Sequence, residues 1–395
     1  MLLQTTSDRL HEVRSYFDNG DTHVGYRRLL DSAIETGDMQ IYADTLKFCD
    51  WYDVYHAGNP ADPAPLIQQV SQLLEKIGQV PDPAWDADVK PVVKAENLSK
   101  TYARGNFSLS SLNFDVYPTQ ITGLVGENGN GKTTLLRLLY GELHPDAGSI
   151  RYNLGSEKSL ITSYDVKTRL GFIPQRPDAW YGSLMDNLQF TSTHYGFKGH
   201  ENFLWTEVIC ARMGLRAFRT YTWSRISSGY KMRFELAKTL LKNPEVLLLD
   251  EPLANLDVLA QQVILEDLRF LAQSRRHPMG IILSSQQLYE VEKVSEQVIF
   301  LKEGKPRYQQ TRQATSEPVN TPLVFELEST ASRETLQAAF SSLGIINIAY
   351  NGGVYLLYFP DTVRTGDVIR RLGESDLPVK YFRDISLSSR RFFNA

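Results

Sequence analysis

Cysteine is scarce in this 395-residue chain: there are only Cys49 and Cys210, far apart and in no metal-ligand spacing. That excludes a disulfide framework and a thiolate metal centre, and the pair reads as reduced cytosolic thiols. Long apolar runs are missing too. None approaches the about 18–20 residues that span a bilayer, so any membrane-spanning part has to be another chain. The opening stretch "MLLQTTSDRLHEVRSYF" lacks a basic head, a sustained apolar core and a small-residue cleavage site. It predicts a cytosolic chain. A basic excess is absent as well, and a net charge of −4 argues against a dedicated nucleic-acid binder. The remainder is ordinary. A 42% apolar and 22% charged composition is that of a soluble globular protein. The length suits two or three domains.

Residues 1–80 read as an all-helical N-terminal domain. "SDRLHEVRSYF" opens with Ser7 and Asp8 as cap candidates, and "THVGYRRLLDSAIETGD" stops at Gly37. "MQIYADTLKFCDWYDVYHAGNP" and "APLIQQVSQLLEKIG" complete four helices. His23, Trp51 and Tyr55 read there as packing residues. "QVPDPAWDADVKP" carries three prolines and places a linker at 81–91. From Val92 the apolar period shortens. "VVKAENLSKTY" and "FSLSSLNFDVY" alternate like strands, while "QITGLVG" and "EVLLLDEP" are short apolar runs. Alternation with helical patterns predicts a parallel sheet covered on both faces, over 92–305. A polar stretch makes a second linker at 306–322. Residues 323–395 then follow the order βαββαβ, a small α+β ferredoxin-like domain with a short tail to Ala395.

The strand "ITGLVG" runs into "GENGNGKTT" and a helix. Gly126 to Thr133 is G-x-x-x-x-G-K-T, a P-loop. Gly126, Glu127, Asn128, Gly129, Asn130 and Gly131 turn the backbone so that its N–H groups approach phosphate oxygens. The helix N-terminus at Lys132, Thr133 and Thr134 adds partial positive charge there. Lys132 supplies a full charge to the β and γ phosphates, and the Thr133 hydroxyl is placed for Mg²⁺. "EVLLLDEP" ends a buried strand with Asp250, a carboxylate that can hold Mg²⁺ through water, followed by Glu251. Glu251 points the other way and is the candidate general base for an attacking water.

Taken with these pieces, "SKTYARG", "GFIPQRPDAW", "ISSGYKMRFELAKTLLKNPEVLLLDEP" and "LANLD" stand in one order along the chain. The sequence thereby resembles the ATP-binding subunits of ABC transporters over about residues 92–305. The resemblance implies an α/β P-loop ATPase core with a helical subdomain at about 176–242. It makes Tyr102 the adenine-stacking aromatic, and base–aromatic stacking contributes about 1–3 kcal/mol. Gln175 takes the position that contacts Mg²⁺ and attacking water, and Asp257 ends the loop after the second carboxylate strand. Ser227, Ser228 and Gly229 become the signature that meets the γ-phosphate held by another subunit. The implied cofactors are ATP and Mg²⁺. The implied partners are a second copy in a head-to-tail homodimer, or a related ATPase chain, together with an integral membrane permease. Nucleic acid is not expected. The implied location is cytoplasmic, peripheral on the inner face of the membrane through the permease.

The sequence departs from that family at three points. Ser228 replaces a signature glycine, and Tyr230 replaces a glutamine. "ILSSQQLYEVE" puts Gln286 at the switch histidine. Its amide donates a hydrogen bond but carries no charge, so the expectation is an active, slower ATPase in which Gln286 donates to the γ-phosphate. "WYGSLMDNLQF" puts Trp180 and Tyr181 near the expected permease groove, with internal packing as the other reading. The alternative function is a soluble ABC ATPase switching a non-transport partner. Lys132 and Ser227 are only 95 positions apart (227 − 132), which leaves no room for the long coiled coil of repair-type relatives.

Overall fold

Thr5 starts the first helix, as the N-cap of a capping box with Asp8. Its Oγ1 accepts from the Asp8 amide at 3.1 Å, and Asp8 Oδ2 accepts from the Thr5 amide at 2.9 Å. The cap therefore lies just before the Ser7–Asp8 pair expected from sequence. Asp8 serves as the reciprocal acceptor three residues in. The computed structural model describes residues 5–58, 62–82, 89–102, 107–155, 163–311, 323–351 and 353–386. It divides into two units, Met1–Gln309 and Gln310–Ala395.

The first unit opens with helices α1 (Thr6–Asp18), α2 (Thr22–Thr36), α3 (Met39–Ala57) and α4 (Ala64–Gly78). Gly37 closes α2 in the left-handed region at φ 60°, where a residue without Cβ meets least strain. The helices share a core of Val13, Phe17, Leu29, Phe48, Leu73 and Ile77. A three-stranded antiparallel sheet follows, with order β2-β1-β4, from β1 (Val93–Thr101), β2 (Ser108–Val116) and β4 (Ala147–Tyr152). Between these lie β3 (Ile121–Val125) and α5 (Lys132–Leu139). Next come α6 (Ser163–Arg169), β5 (Leu170–Ile173), α7 (Leu184–His194), α8 (Gly199–Arg212) and α9 (Ser228–Leu240). The unit ends with β6 (Val246–Leu249), α10 (Val258–Ala272), β7 (Gly280–Ser285), α11 (Leu288–Val294), β8 (Gln297–Lys302) and β9 (Lys305–Thr311).

The main sheet has the order β5-β6-β7-β3-β8-β9. β3, β6 and β7 are buried at every position, as apolar strands covered on both faces must be. β3 runs parallel to both β7 and β8, with Val125 opposite Ser285 and Phe300. β6 runs parallel to β7 with Leu249 opposite Leu283. The carboxyl ends of β3, β6 and β7 thus come out side by side, where parallel α/β sheets hold ligands.

Two segments differ from the sequence reading. Residues 1–80 and 92–305 were set apart by a linker, yet they build one compact unit. Tyr42 and Leu46 of α3 enter the same core as Trp205, Val208 and Ile209 of α8. Buried charge joins them further. Arg212 of α8 pairs with Asp31 of α2 at 2.6 Å and with Asp267 of α10 at 2.8 Å, and Arg27 of α2 also bonds Asp267. In a sequence such residues look like a solvated helix face; only packing buries them. Likewise residues 306–311, expected as the start of a linker, belong to β9. Glu303 (φ 52°) and Gly304 (φ 73°) make a tight turn back from β8, and β9 takes the edge of the sheet beside it. Residues 83–88 and 312–322 of the two linkers, and 387–395 of the tail, lie outside the described residues.

The second unit contains β10 (Leu323–Ser329), α12 (Arg333–Phe340), β11 (Asn347–Asn351), β12 (Val354–Phe359), α13 (Thr365–Glu374) and β13 (Val379–Asp384). Its antiparallel sheet has the order β11-β12-β10-β13, the split βαββαβ arrangement. Phe325, Leu327, Leu336, Phe340, Phe359 and Val368 form its core.

Candidate nucleotide site

Three glycines shape the loop between β3 and α5. A Cβ on Gly126 would lie 2.5 Å from the Leu301 carbonyl oxygen, so β8 admits only glycine there. Gly129 and Gly131 sit at φ 82° and 98°, and a Cβ on Gly131 would meet the Phe107 ring at 2.7 Å. Asn130 pins the loop from outside, its Oδ1 accepting from the Glu303 amide at 2.8 Å. Lys132 begins α5 with only 4% exposure. Its ammonium donates to the carbonyls of Gly126 (2.7 Å) and Glu127 (3.2 Å). The cation is therefore held over the loop before any phosphate arrives.

The sheet brings two further segments to this loop. The Thr133 hydroxyl donates to Asp250 Oδ2 at 2.8 Å. Asp250 Oδ1 accepts from Ser284 Oγ at 2.8 Å, and the same serine oxygen accepts from the Glu251 amide at 2.8 Å. Glu251 has a left-handed backbone, φ 49°, which a side-chain-bearing residue adopts only when its surroundings impose it. Its Oε1 lies 3.1 Å from Lys132 Nζ, and its Oε2 accepts from both Gln175 Nε2 and Gln286 Nε2 at 2.9 Å. A buried carboxylate with three such partners is fixed in place. Thr133 Oγ1 and Asp250 Oδ2 offer a pair of hard oxygen donors, of the kind Mg²⁺ selects.

Of the residues expected from sequence, the cradle, Asp250, Glu251, Gln175 and Gln286 come together in this one hydrogen-bonded group. Gln286 makes its contact with Glu251. Tyr102 is 37% exposed beside the cradle, its hydroxyl 3.3 Å from Thr134 Oγ1, with Phe107 as its ring neighbour at 6.4 Å. The signature residues form a second group. Ser227 caps α9, with Tyr230 N 3.5 Å from its Oγ, and Ser228 donates to the Asn255 carbonyl at 3.1 Å. Asp257 caps α10 by accepting from the Ala260 amide at 2.8 Å. No side-chain hydrogen bond among the described residues joins Ser227, Ser228 or Asp257 to the cradle. Ser228 thus ties the signature to the loop before α10, and Tyr230 packs on Phe218 at 4.1 Å.

Trp180 and Tyr181 divide between the two expectations. Trp180 packs inside, edge-on to Phe234, with the Lys238 ammonium 3.9 Å above its ring. Burial pushes that ammonium below its ordinary range, against the opposing pull of Glu235 at 2.7 Å. Tyr181 is 96% exposed. Sequence reasoning missed Ser284 and Phe107. Ser284 stands in the "ILSSQQLYEVE" stretch without a role assigned from sequence, and its position at the end of β7, level with Leu124, gives it two partners at the site.

Residues 109–254 match the model of the ABC transporter family. An uncharacterised ABC transporter ATP-binding protein of Methanocaldococcus jannaschii is 28% identical over 218 residues, 55% of this chain and 76% of that protein. The ABC transporter ATP-binding protein NatA of Bacillus subtilis is 29% identical over 56% of this chain and 83% of its own length. Nod factor export ATP-binding protein I of Burkholderia thailandensis is 32% identical over 50% of this chain and 64% of its own. Among solved structures, CbiO1 from Clostridium perfringens, part of the ABC transporter complex CbiONQ, superposes with a TM-score of 0.51. It does so at 25% identity over 56% of this chain and 88% of that one. With the cradle, the paired carboxylates and the sheet order in place, the central domain of this chain has the fold of the ABC transporter ATP-binding proteins and is similar to them in sequence.

Proposed function

We propose that this chain is the ATP-hydrolysing subunit of an ABC transporter, energising a separate integral membrane permease by ATP-driven dimerisation. The observation that carries the reading is the Glu251 carboxylate, held by Lys132, Gln175 and Gln286 at the mouth of the phosphate loop. When the triphosphate enters, Lys132 turns from the Gly126 and Glu127 carbonyls to the β and γ phosphate oxygens. Glu251, released from that ion pair, accepts the proton of the water that attacks the γ-phosphorus. The bond to the β-phosphate oxygen breaks, leaving ADP and phosphate. Gln175 and Gln286 keep the carboxylate and the water in line. Tyr102 stacks on the base. Mg²⁺ bound with the nucleotide, held by Thr133, Asp250 and Gln175, would neutralise phosphate charge.

Ser227, Ser228, Gly229 and Asp257 stand away from their own cradle in this reading and complete the site of a second copy, head to tail. The absence of any described helix long and apolar enough to cross a membrane fits a subunit that works through a permease. Glu251→Gln tests the assignment: it keeps Mg·ATP binding and loses about 10²–10⁴-fold in turnover. Unchanged turnover refutes Glu251 as the base. Copurification of a polytopic membrane protein with the tagged chain from native membranes is the expected second result. Its absence under ATP-trapping conditions refutes the permease.

A further inference from the structure

A cavity of about 50 Å³ opens where α1 and α2 meet α8, α9 and α10, away from the phosphate loop. Its walls combine Arg9, Trp205 and Arg212 with the apolar side chains of Ile34, Leu240 and Phe270. Three of the lining side chains present hydrogen-bond donors that no protein acceptor meets: Arg9 Nε, Trp205 Nε1 and Arg212 Nη2. These residues are only 8%, 5% and 2% exposed, so the bulk solvent does not satisfy them. No side-chain acceptor of the cavity lining is left over in the same way. Polar groups buried without partners are rare, so three unmatched donors around one space call for an occupant that accepts.

We propose that this cavity binds a small carboxylate anion with a short alkyl tail. Donor pattern, size and lining each narrow the choice. The other guanidinium nitrogens here are already engaged: Arg9 with the Gln273 carbonyl at 2.7 Å and Glu35 at 3.4 Å, Arg212 with Asp31 and Asp267. Within the lining Arg9 and Arg212 balance Asp31 and Glu35, so the choice of a carboxylate rests on the three unmet donors and the lack of any unmet side-chain acceptor, which an amide's own N–H groups would not suit. His277, also in the lining, adds no charge at neutral pH, because burial and Arg276 favour its neutral form. A water-sized group takes about 10–15 Å³ of such volume, so the space holds about four non-hydrogen atoms, the scale of acetate to propionate. The apolar walls suit a methyl or ethyl tail and disfavour a multiply charged oxyanion. The occupant joins the N-terminal helices to α8 and α10.

The test uses the full-length chain and propionate, with propionamide as the neutral isostere and sodium chloride matching ionic strength. Isothermal titration and thermal shift are expected to show saturable propionate binding, at least about tenfold tighter than propionamide. Trp205→Phe keeps the aromatic packing against Tyr42 (5.7 Å) and Phe197 (5.9 Å) but loses one donor. It is expected to weaken propionate about 2–10-fold, the range for one hydrogen bond. Leu240→Phe fills the space and is expected to abolish binding while the basal ATPase stays unchanged. No saturable binding to the wild-type chain, equal binding of propionamide, or binding that survives Leu240→Phe overturns the proposal. The comparison of propionate with propionamide needs no variant, so it stands even where a substitution impairs folding.

Discussion

Ser284→Ala removes one oxygen that serves two groups at once. Ser284 is wholly buried; its hydroxyl donates to Asp250 Oδ1 and accepts from the Glu251 amide, both at 2.8 Å. A hydrogen bond to a charged group contributes about 1.5–3 kcal/mol, and a buried N–H left without a partner costs about 1–3 kcal/mol. The substitution is therefore expected to lower stability by about 2.5–6 kcal/mol. The amide concerned belongs to a residue at φ 49°, so the lost bond also frees Glu251 from the left-handed conformation that aims its carboxylate at Lys132 and the two glutamines. Turnover should fall by more than about tenfold, which is about 1.4 kcal/mol of barrier. KM for ATP should change little, because the loop glycines and Lys132 are untouched. Urea unfolding monitored by tryptophan fluorescence, with steady-state ATPase on the same preparations, measures both. A loss below about 1 kcal/mol at unchanged m-value, with wild-type turnover, refutes the argument that Ser284 positions the base.

Gln286→Ala leaves Glu251 Oε2 with Gln175 alone and is expected to slow hydrolysis. Gln286→His restores a donor and is expected to recover turnover at least to the wild-type rate. If Gln286→Ala hydrolyses as fast as the wild type, Gln286 has no role in holding the base. His277 supplies a pH signature. Burial, with Arg276 nearby, pulls its imidazole below the ordinary value near 6.5, while Glu35 opposes this. Below about pH 6.5 the unfolded chain then binds a proton that the folded chain refuses, so this group makes stability fall as pH falls. His277→Asn keeps the backbone bond to Ser274 Oγ at 2.9 Å and is expected to flatten that decline in the window just below about pH 6.5. An unchanged slope in denaturant midpoints across that window rules the histidine out as its source.

The phosphate loop was legible because its chemistry needs residues adjacent in the chain. Turn glycines, a lysine and a hydroxyl must follow a strand and open a helix. The alternation of short apolar runs with helical patterns announced the parallel sheet, and the βαββαβ order of 323–387 could be written from period and turns alone. Asp250 and Glu251 stood out as charges ending a fully apolar strand. Ser284 could not stand out. A serine at the end of β7 matters only because β7 lies between β3 and β6, and that order is set by long-range pairing which local pattern does not encode. Arg27, Asp31, Arg212 and Asp267 were equally unreadable, since the same spacing serves a solvated face or a buried junction, and only the approach of α2 to α8 and α10 decides between them.

By itself, then, the amino-acid order determined the glycine loop and the helix that opens on Lys132 and Thr133, because those groups are local. Tertiary structure alone decided what surrounds them. It joined the N-terminal helices to the core of the parallel sheet through buried ion pairs, gave Glu251 its three partners, and left three buried guanidinium and indole donors unpartnered on residues that line one small space. Contacts between segments far apart in the chain depend on which faces meet, and burial turns the same charged side chain from a solvated group into a structural one.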